Sequence, residues 1–263
     1  STGNQIINNT ANSNSRGVYI ADGTSPNNLV ENNSIFNSSS QGIYSVSANT
    51  TIRGNAVRLS GNNGIQIGSE AENSTVENNE LNNNDVGLLL DGFYTIYNNN
   101  IINGSASNAI LALRARNNNI TNTTITNTAT VGYDLKFDNS LGIHNGTYLI
   151  DNLHIGNYSF SGQKINFKDT RFGEIKFLQA LVGNGTNLTS DVRILNNSAF
   201  VNSSSASGGL NRSANVTLYG LRTDLVRPII LRDGIFCLSI ICTNYTDLNA
   251  GNVSFGVTGW SNY

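Results

Sequence analysis

Five stretches, LVENNSIF at 29–36, TIRGNAVR at 51–58, TVENNELN at 75–82, TIYNNNII at 95–102 and NITNTTIT at 119–126, are versions of one eight-residue phrase. IINNTA from Ile6 and RILNNSAF from Arg193 match it as well. Stacked in register, the copies place Val30, Ile52, Val76, Ile96 and Ile120 in one apolar column and Ile35, Val57, Leu81, Ile101 and Ile125 in another, as the two-residue side-chain period of strands requires. Between them runs a polar column of Asn8, Asn32, Gly54, Asn78, Asn98, Asn122 and Asn196. Asn and Gly share tolerance of positive φ, so this column is predicted to turn through the left-handed region at each copy. Stacked Asn amides would bond along the ladder and satisfy polar groups that are costly to bury.

A second recurrence confirms the period. Gly17-Val18, Gly42-Ile43, Gly64-Ile65, Gly87-Leu88, Ala109-Ile110 and Gly132-Tyr133 return at nearly the spacing of the phrase, which is one solenoid rung. Each opens a short β-like run, such as GVYIA or GIQIG. Two or three strands per rung follow, and about nine rungs at ~4.8 Å each would make a rod near ~40 Å long. Glu31, Arg53 and Glu77 on successive rungs read as an exposed ion ladder that disfavours slipping the register.

This pattern, over about 1–207, resembles the right-handed parallel β-helix repeat superfamily, whose branches include polysaccharide-processing and copper-site-maturation proteins. The resemblance implies an all-β solenoid and says little about activity. Regular rungs are expected to about 137 and irregular ones over 138–207, with strands near Tyr148 to Ile155, Lys164 to Phe167 and Glu174 to Leu178.

From about Gly208 the pattern changes to alternation in NVTLYGL, IILRDG and NVSFGVTGW, which argues for antiparallel strands. The order LYGL, LRDG, two-Cys loop and a final F-x-V-T-x-W-S-x-Y resembles the small β module of archaeal cell-surface proteins. The segment 208–263 is therefore expected to be a C-terminal β module covering the end of the helix.

Composition narrows the function classes. Only 12% of the 263 residues are charged and the formal net charge is −2, so neither nucleic acid nor an anionic membrane has a basic footprint to bind. No run approaches a membrane span. The chain opens on Ser1 without Met or an apolar leader and reads as a processed or excised product. Cys237 and Cys242 inside CLSIIC suit a disulfide in an oxidising compartment. Two buried thiols are the alternative, and no third or fourth ligand lies nearby for a metal.

About eighteen Asn-x-Ser/Thr acceptors occur, roughly twice the chance number, which points to export. The rival account is that turns written in Asn, Ser and Thr produce the motif by themselves. Asn8, Asn32, Asn122 and Asn196, as ladder members, are expected to stay bare. Asn49, Asn73, Asn145, Asn184, Asn187, Asn202, Asn211 and Asn244 fall in loops or linkers and are the candidate sugar carriers.

Chemistry is sparsely provided for. Glycoside hydrolysis needs a paired acid and base, and a lyase needs a base with a cation, yet the acidic residues are scattered, with Asp85 and Asp91 around one strand and Glu70 and Glu72 in one loop. Asp91, Asp134 and Asp138 follow strands on neighbouring rungs and are the best candidate carboxylate cluster, with loop capping or a structural cation as the simpler role. His144 and His154 are the only histidines. Tyr19 and Tyr44 on adjacent rungs, followed by Gln66, could form a short sugar-stacking strip or a packing contact. No catalytic, metal or cofactor residue is assigned. The reading is an extracellular structural glycoprotein of a surface layer, sheath or filament, associating head to tail through an uncapped first rung. An adhesin or glycan-binding module is the alternative, and a polysaccharide lyase or glycoside hydrolase comes third.

Overall fold

A computed structural model describes residues 2–21, 23–138 and 147–263. It is a parallel β-solenoid of about six turns with small antiparallel sheets towards the C-terminus. Each turn contributes three short strands to three parallel faces. One face stacks Gln5–Ile7, Leu29–Glu31, Thr51–Arg53, Thr75–Glu77, Ile96–Asn98 and Asn119–Thr121. The second stacks Thr10–Asn12 through Ser34–Phe36, Ala56–Arg58, Glu80–Asn82 and Ile101–Asn103 to Thr124–Thr126. The third runs from Val18–Ile20 through Ile43–Ser45, Asn63–Ile67, Val86–Leu90 and Asn108–Ala112 to Tyr133–Phe137.

The apolar columns form the core, and each fully buried Ile, Leu or Val is worth about 1.5–3 kcal/mol relative to exposure. One rung departs from the expected register. Val76 stacks on Tyr97, and Leu81 on Ile102, so Ile96 and Ile101 are 45% and 50% exposed. The run Asn98–Asn99–Asn100 reads equally well one residue either way. The observed choice puts Tyr97 in the core and buries Thr95 completely.

The asparagine column also sits differently from expectation. Asn8, Asn32, Gly54, Asn78 and Asn122 are left-handed, with φ between 48° and 63°, but they are exposed corners, where some of the expected amide bonds form at the surface, Asn99 Nδ2 donating to Asn78 Oδ1 at 2.6 Å and Asn122 Nδ2 to Asn98 Oδ1 at 3.1 Å. The left-handed residue of the shifted rung is Asn99, while Asn98 ends a strand. The buried ladder lies one residue later, through Asn33, Asn55, Asn79 and Asn100. Asn55 shows how it works: its Oδ1 accepts from the Asn33 backbone N–H at 2.9 Å, and its Nδ2 donates to Asn79 Oδ1 and to the Val30 carbonyl, both at 3.0 Å. A left-handed corner turns the chain and the next residue points its amide inward, so each Asn-Asn pair divides two tasks.

The same device recurs at the other corners of the rung. Ser13, Asn37, Leu59, Asn83, Gly104 and Asn127 are left-handed at the second corner, and Asn27, Asn49, Asn73, Tyr94 and Asn117 at the third. Behind the third lie buried Asn28, Thr50, Ser74, Thr95 and Asn118. The glycine steps have a separate cause: a Cβ at Gly42 would strike the Val57 side chain and the Gly64 carbonyl, and one at Gly64 the Gly87 carbonyl.

Parallel winding ends at the twelve-residue strand Tyr158–Asp169, which spans two faces and pairs with both Tyr133–Phe137 and Thr147–Asp151. After a turn at 170–172 the chain reverses. Gly173–Phe177 and Leu181–Gly185 run antiparallel to that strand, so the change of architecture comes well before residue 208. Ala214–Leu218, Val253–Val257 and Cys242–Asn244 then extend the same sheet. Asn196 is not a ladder residue: it is exposed with Asn197 at the tip of an antiparallel hairpin, Val192–Leu195 with Ser198–Val201. The phrase RILNNSAF thus uses Asn-Asn as a two-residue hairpin loop. The core continues into this end as an aromatic chain, Phe137, Phe160, Phe167, Phe177, Trp260 and Tyr263, with successive ring centroids 5.6–6.4 Å apart. No helix among the described residues is long and apolar enough to cross a membrane.

Candidate functional site

The most developed polar surface lies on the third face, whose outward positions follow from strand alternation. Tyr19 and Tyr44 stack there with centroids 5.2 Å apart and planes 12° off parallel. Arg16 sits over both rings, 4.4 Å from Tyr19 and 5.4 Å from Tyr44. Its Nε donates to Gln41 Oε1 at 2.8 Å, and Gln41 Nε2 donates to Gln66 Oε1 at 3.1 Å. Burial, reinforced by Tyr19 and by the nearby Asp91 carboxylate, pushes the Tyr44 hydroxyl above its ordinary range. This phenol stays protonated at neutral pH and can donate a hydrogen bond.

Asp91, Asp134 and Asp138 do not converge. Asp91 is buried and held by a two-pronged pair with Arg114, Nε to Oδ1 at 2.7 Å and Nη2 to Oδ2 at 2.6 Å. Asp134 accepts the Gly156 backbone N–H at 2.7 Å. Asp138 pairs with Lys136 at 3.0 Å. Each carboxylate has a separate partner, for Asp91 and Asp134 one reached from elsewhere in the solenoid. Of the expected ion ladder, the Arg53–Glu31 pair forms at 2.8 Å, and Glu77 makes no ion pair with Arg53 among the described residues.

A cavity of about 620 Å³ lies beneath the hairpin at 192–201. Its floor is apolar, with Ile150, Phe167 and Leu188, and its rim carries His154, Lys168 and Arg193. Asp169 on the rim is held below the usual carboxyl range, first by hydrogen bonding from Arg171. Close by, burial raises the Asp151 carboxyl. Sequence reasoning missed this cavity because its walls come from a long strand, a one-turn helix and a hairpin that share no repeat. A buried polar knot on the same flank ties Tyr158 Oη to Asp191 Oδ2 at 2.8 Å, with Asn202 Nδ2 donating to Asp191 Oδ1 at 3.1 Å.

The sugar-acceptor candidates occupy unlike settings. Asn49 and Asn73 are exposed left-handed corners, and Asn184 and Asn244 are exposed in or beside antiparallel strands. Asn187 caps the short helix, accepting from the Ser190 N–H at 2.9 Å, and Asn211 Oδ1 accepts from the Trp260 N–H at 2.9 Å. Asn145 and His144 lie outside the described residues. Asn8, Asn32, Asn122 and Asn196 are exposed, so the interior does not shield them as the ladder reading expected.

Cys237 and Cys242 form a disulfide with Cα atoms 5.9 Å apart, so neither is a thiolate ligand. The chain has no Met, and no group of three His, Cys, Asp or Glu that could hold a metal occurs among the described residues. Copper is held by imidazole, thiolate and thioether groups, and the described residues offer His154 alone. Neither a curated protein nor a solved structure matches the chain. Residues 1–106 match the family described as periplasmic copper-binding protein (NosD), a parallel β-helix-type family, in a stretch that supplies the repeated rungs and, among its described residues, no set of copper ligands.

Proposed function

We propose that this β-helix is a structural module of the cell exterior, an N-glycosylated component of a surface layer, sheath or filament that associates with itself. The observation that carries the reading is the buried asparagine ladder, bonded from rung to rung, which makes a stiff rod whose interior polar groups are spent on the rod itself. Its exterior is low in charge and presents acceptor asparagines at exposed corners such as Asn49 and Asn73. The disulfide suits an oxidising compartment, and the family matched over 1–106 is described as periplasmic. A non-catalytic role is part of the proposal, supported by the separation of Asp91, Asp134 and Asp138 and by the partner each one holds. The chain isolated from its native cell should fractionate with the envelope, and intact-mass analysis should show hexose-containing additions that map to exposed acceptors. A bare chain in the cytoplasmic fraction would sink the reading.

Glycan binding on the third face is the second reading, favoured by the stacked tyrosines beside Gln41 and Gln66. Retention on an immobilised polysaccharide that disappears in Tyr19→Ala supports it. Equal retention of the two proteins, or none, removes it.

A further inference from the structure

The C-terminal end displays apolar side chains that a protein working alone would bury. Val226 is 90% exposed, Ile240 77%, Ile235 73%, and Phe236, Ile229, Leu238 and Tyr245 are all above 50%. They fall within twenty residues of one another, on the loop after Arg222, on the hairpin Leu231–Arg232 with Ile235–Phe236, on the disulfide loop, and, for Tyr245, just past the strand Cys242–Asn244. Seven large apolar side chains exposed this close together in the chain go beyond the singly scattered hydrophobics of an ordinary monomer surface and mark an interaction site. Beside the projections lies a hollow of about 380 Å³ walled by Leu221, Leu225, Ile229, Leu248 and Phe255.

Charge around the patch helps to choose the occupant. Between 221 and 248 the arginines Arg222, Arg227 and Arg232 are matched by Asp224, Asp233 and Asp247. Arg222 grips Asp224 through two bonds, 2.9 and 2.8 Å long, and Asp233 accepts from the Ser261 hydroxyl. An anionic membrane would call for a net basic rim, and an oppositely charged partner for a net field. A neutral rim with projections and a hollow on one surface suits a two-fold contact in which the patch meets itself. Constraining Leu238 and Ile240 in the short disulfide loop lowers the ordering cost of such a contact.

We propose that this surface is a self-association interface, occupied by the same surface of a second copy, with Ile235, Phe236 and Ile240 as its anchors. This deepens the structural reading and rests on it for biological meaning, while the contact itself is tested separately. Sedimentation velocity on the purified full chain across a wide concentration range should show a species of twice the 28.2 kDa chain mass. Ile240→Asp and Ile235→Asp alter exposed positions, so circular dichroism and the melting profile should persist while the dissociation constant rises at least about tenfold, as for loss of an interface anchor. Val131→Asp, at an 87% exposed position on the rod, should change nothing. A wild-type chain that stays monomeric, or self-association indifferent to both aspartates, overturns the interface. Failure here with sugars still found on the native chain would end this contact and leave the surface role standing. An unglycosylated cytoplasmic chain that still dimerises would do the reverse.

Discussion

Between residues 2 and 138 the strands stack on near copies of themselves, whereas from Gly173 onwards each strand meets an unlike neighbour running the other way. The two halves bury backbone by different means. In the rod one solution repeats: a left-handed corner, an inward amide and an apolar strand centre, with Asn33, Asn55, Asn79 and Asn100 as interchangeable rungs of one ladder. At the C-terminal end nothing is interchangeable. Phe177, Trp260 and Tyr263 fill one junction, the Trp260 Nε1 donates to the Arg212 carbonyl at 2.6 Å, and a disulfide closes the next loop. Repetition spreads stability over many equal contacts, while an irregular end concentrates it in a few.

The largest expected effect is therefore at the end. Trp260→Ala removes a 2% exposed ring and the aromatic contacts on either side of it, and it should cost about 3–5 kcal/mol in urea unfolding. If the repeats are energetically separable, the C-terminal strands should melt first and the transition should become biphasic. A single, undiminished transition would show that the two halves share the load. Asn79→Leu tests the rod itself. It strips the acceptor from the Asn55 N–H and Nδ2 and the donor from the Ile52 carbonyl, for a loss on the order of 3 kcal/mol from buried unpaired groups. Asn78→Gly, one residue away at an exposed left-handed corner, should be nearly neutral. Equal losses at 78 and 79 would erase the division between corner and ladder.

That pair also marks how much could be read from sequence. The period, the parallel strands and the left-handed column were legible because the phrase recurs, and recurrence makes each position visible several times. Which of two adjacent asparagines faces inward was not legible, since both positions are Asn on most rungs and composition cannot orient a side chain. The slip at Ile96 and Tyr97 has the same origin, three asparagines in a row that erase the frame. Without repeats to compare, the reversal at 170–172 and the hairpin around Asn196 looked like further rungs. The candidate site was least legible: Asp91 and Asp138 follow strands while Asp134 lies inside Tyr133–Phe137, and the partners Arg114 and Gly156 come from neighbouring rungs and loops. The Tyr19–Tyr44 pair was visible, and the Arg16 above it was not.

The disulfide gives a smaller handle on the irregular end. Reducing Cys237–Cys242 frees a short loop and should lower stability by about 2 kcal/mol on the loop-closure estimate. The loss should appear as a lower melting temperature with a reductant present, without change in the rod's far-ultraviolet signal below the transition. No shift would mean that the flanking strands already hold the loop closed.

The smallest expected change is a gain, and it falls in the rod. Tyr94 occupies a left-handed corner at φ 54°, in a column where Asn73 and Asn117 adopt the same conformation. A side chain with an ordinary Cβ pays about 1 kcal/mol for that geometry, whereas asparagine adopts it more readily. The Tyr94 ring is 55% exposed, so little packing offsets the strain. Tyr94→Asn should therefore stabilise the chain by up to about 1 kcal/mol, a rise of roughly 2 °C in melting temperature for a chain of this size. Leu59→Asn, at φ 56° on the second corner, should act similarly, and the two gains should add because the positions share no partner. A fall in stability for Tyr94→Asn with a gain for Leu59→Asn would locate the difference in the ring, and would make Tyr94 a contact retained for something other than the fold.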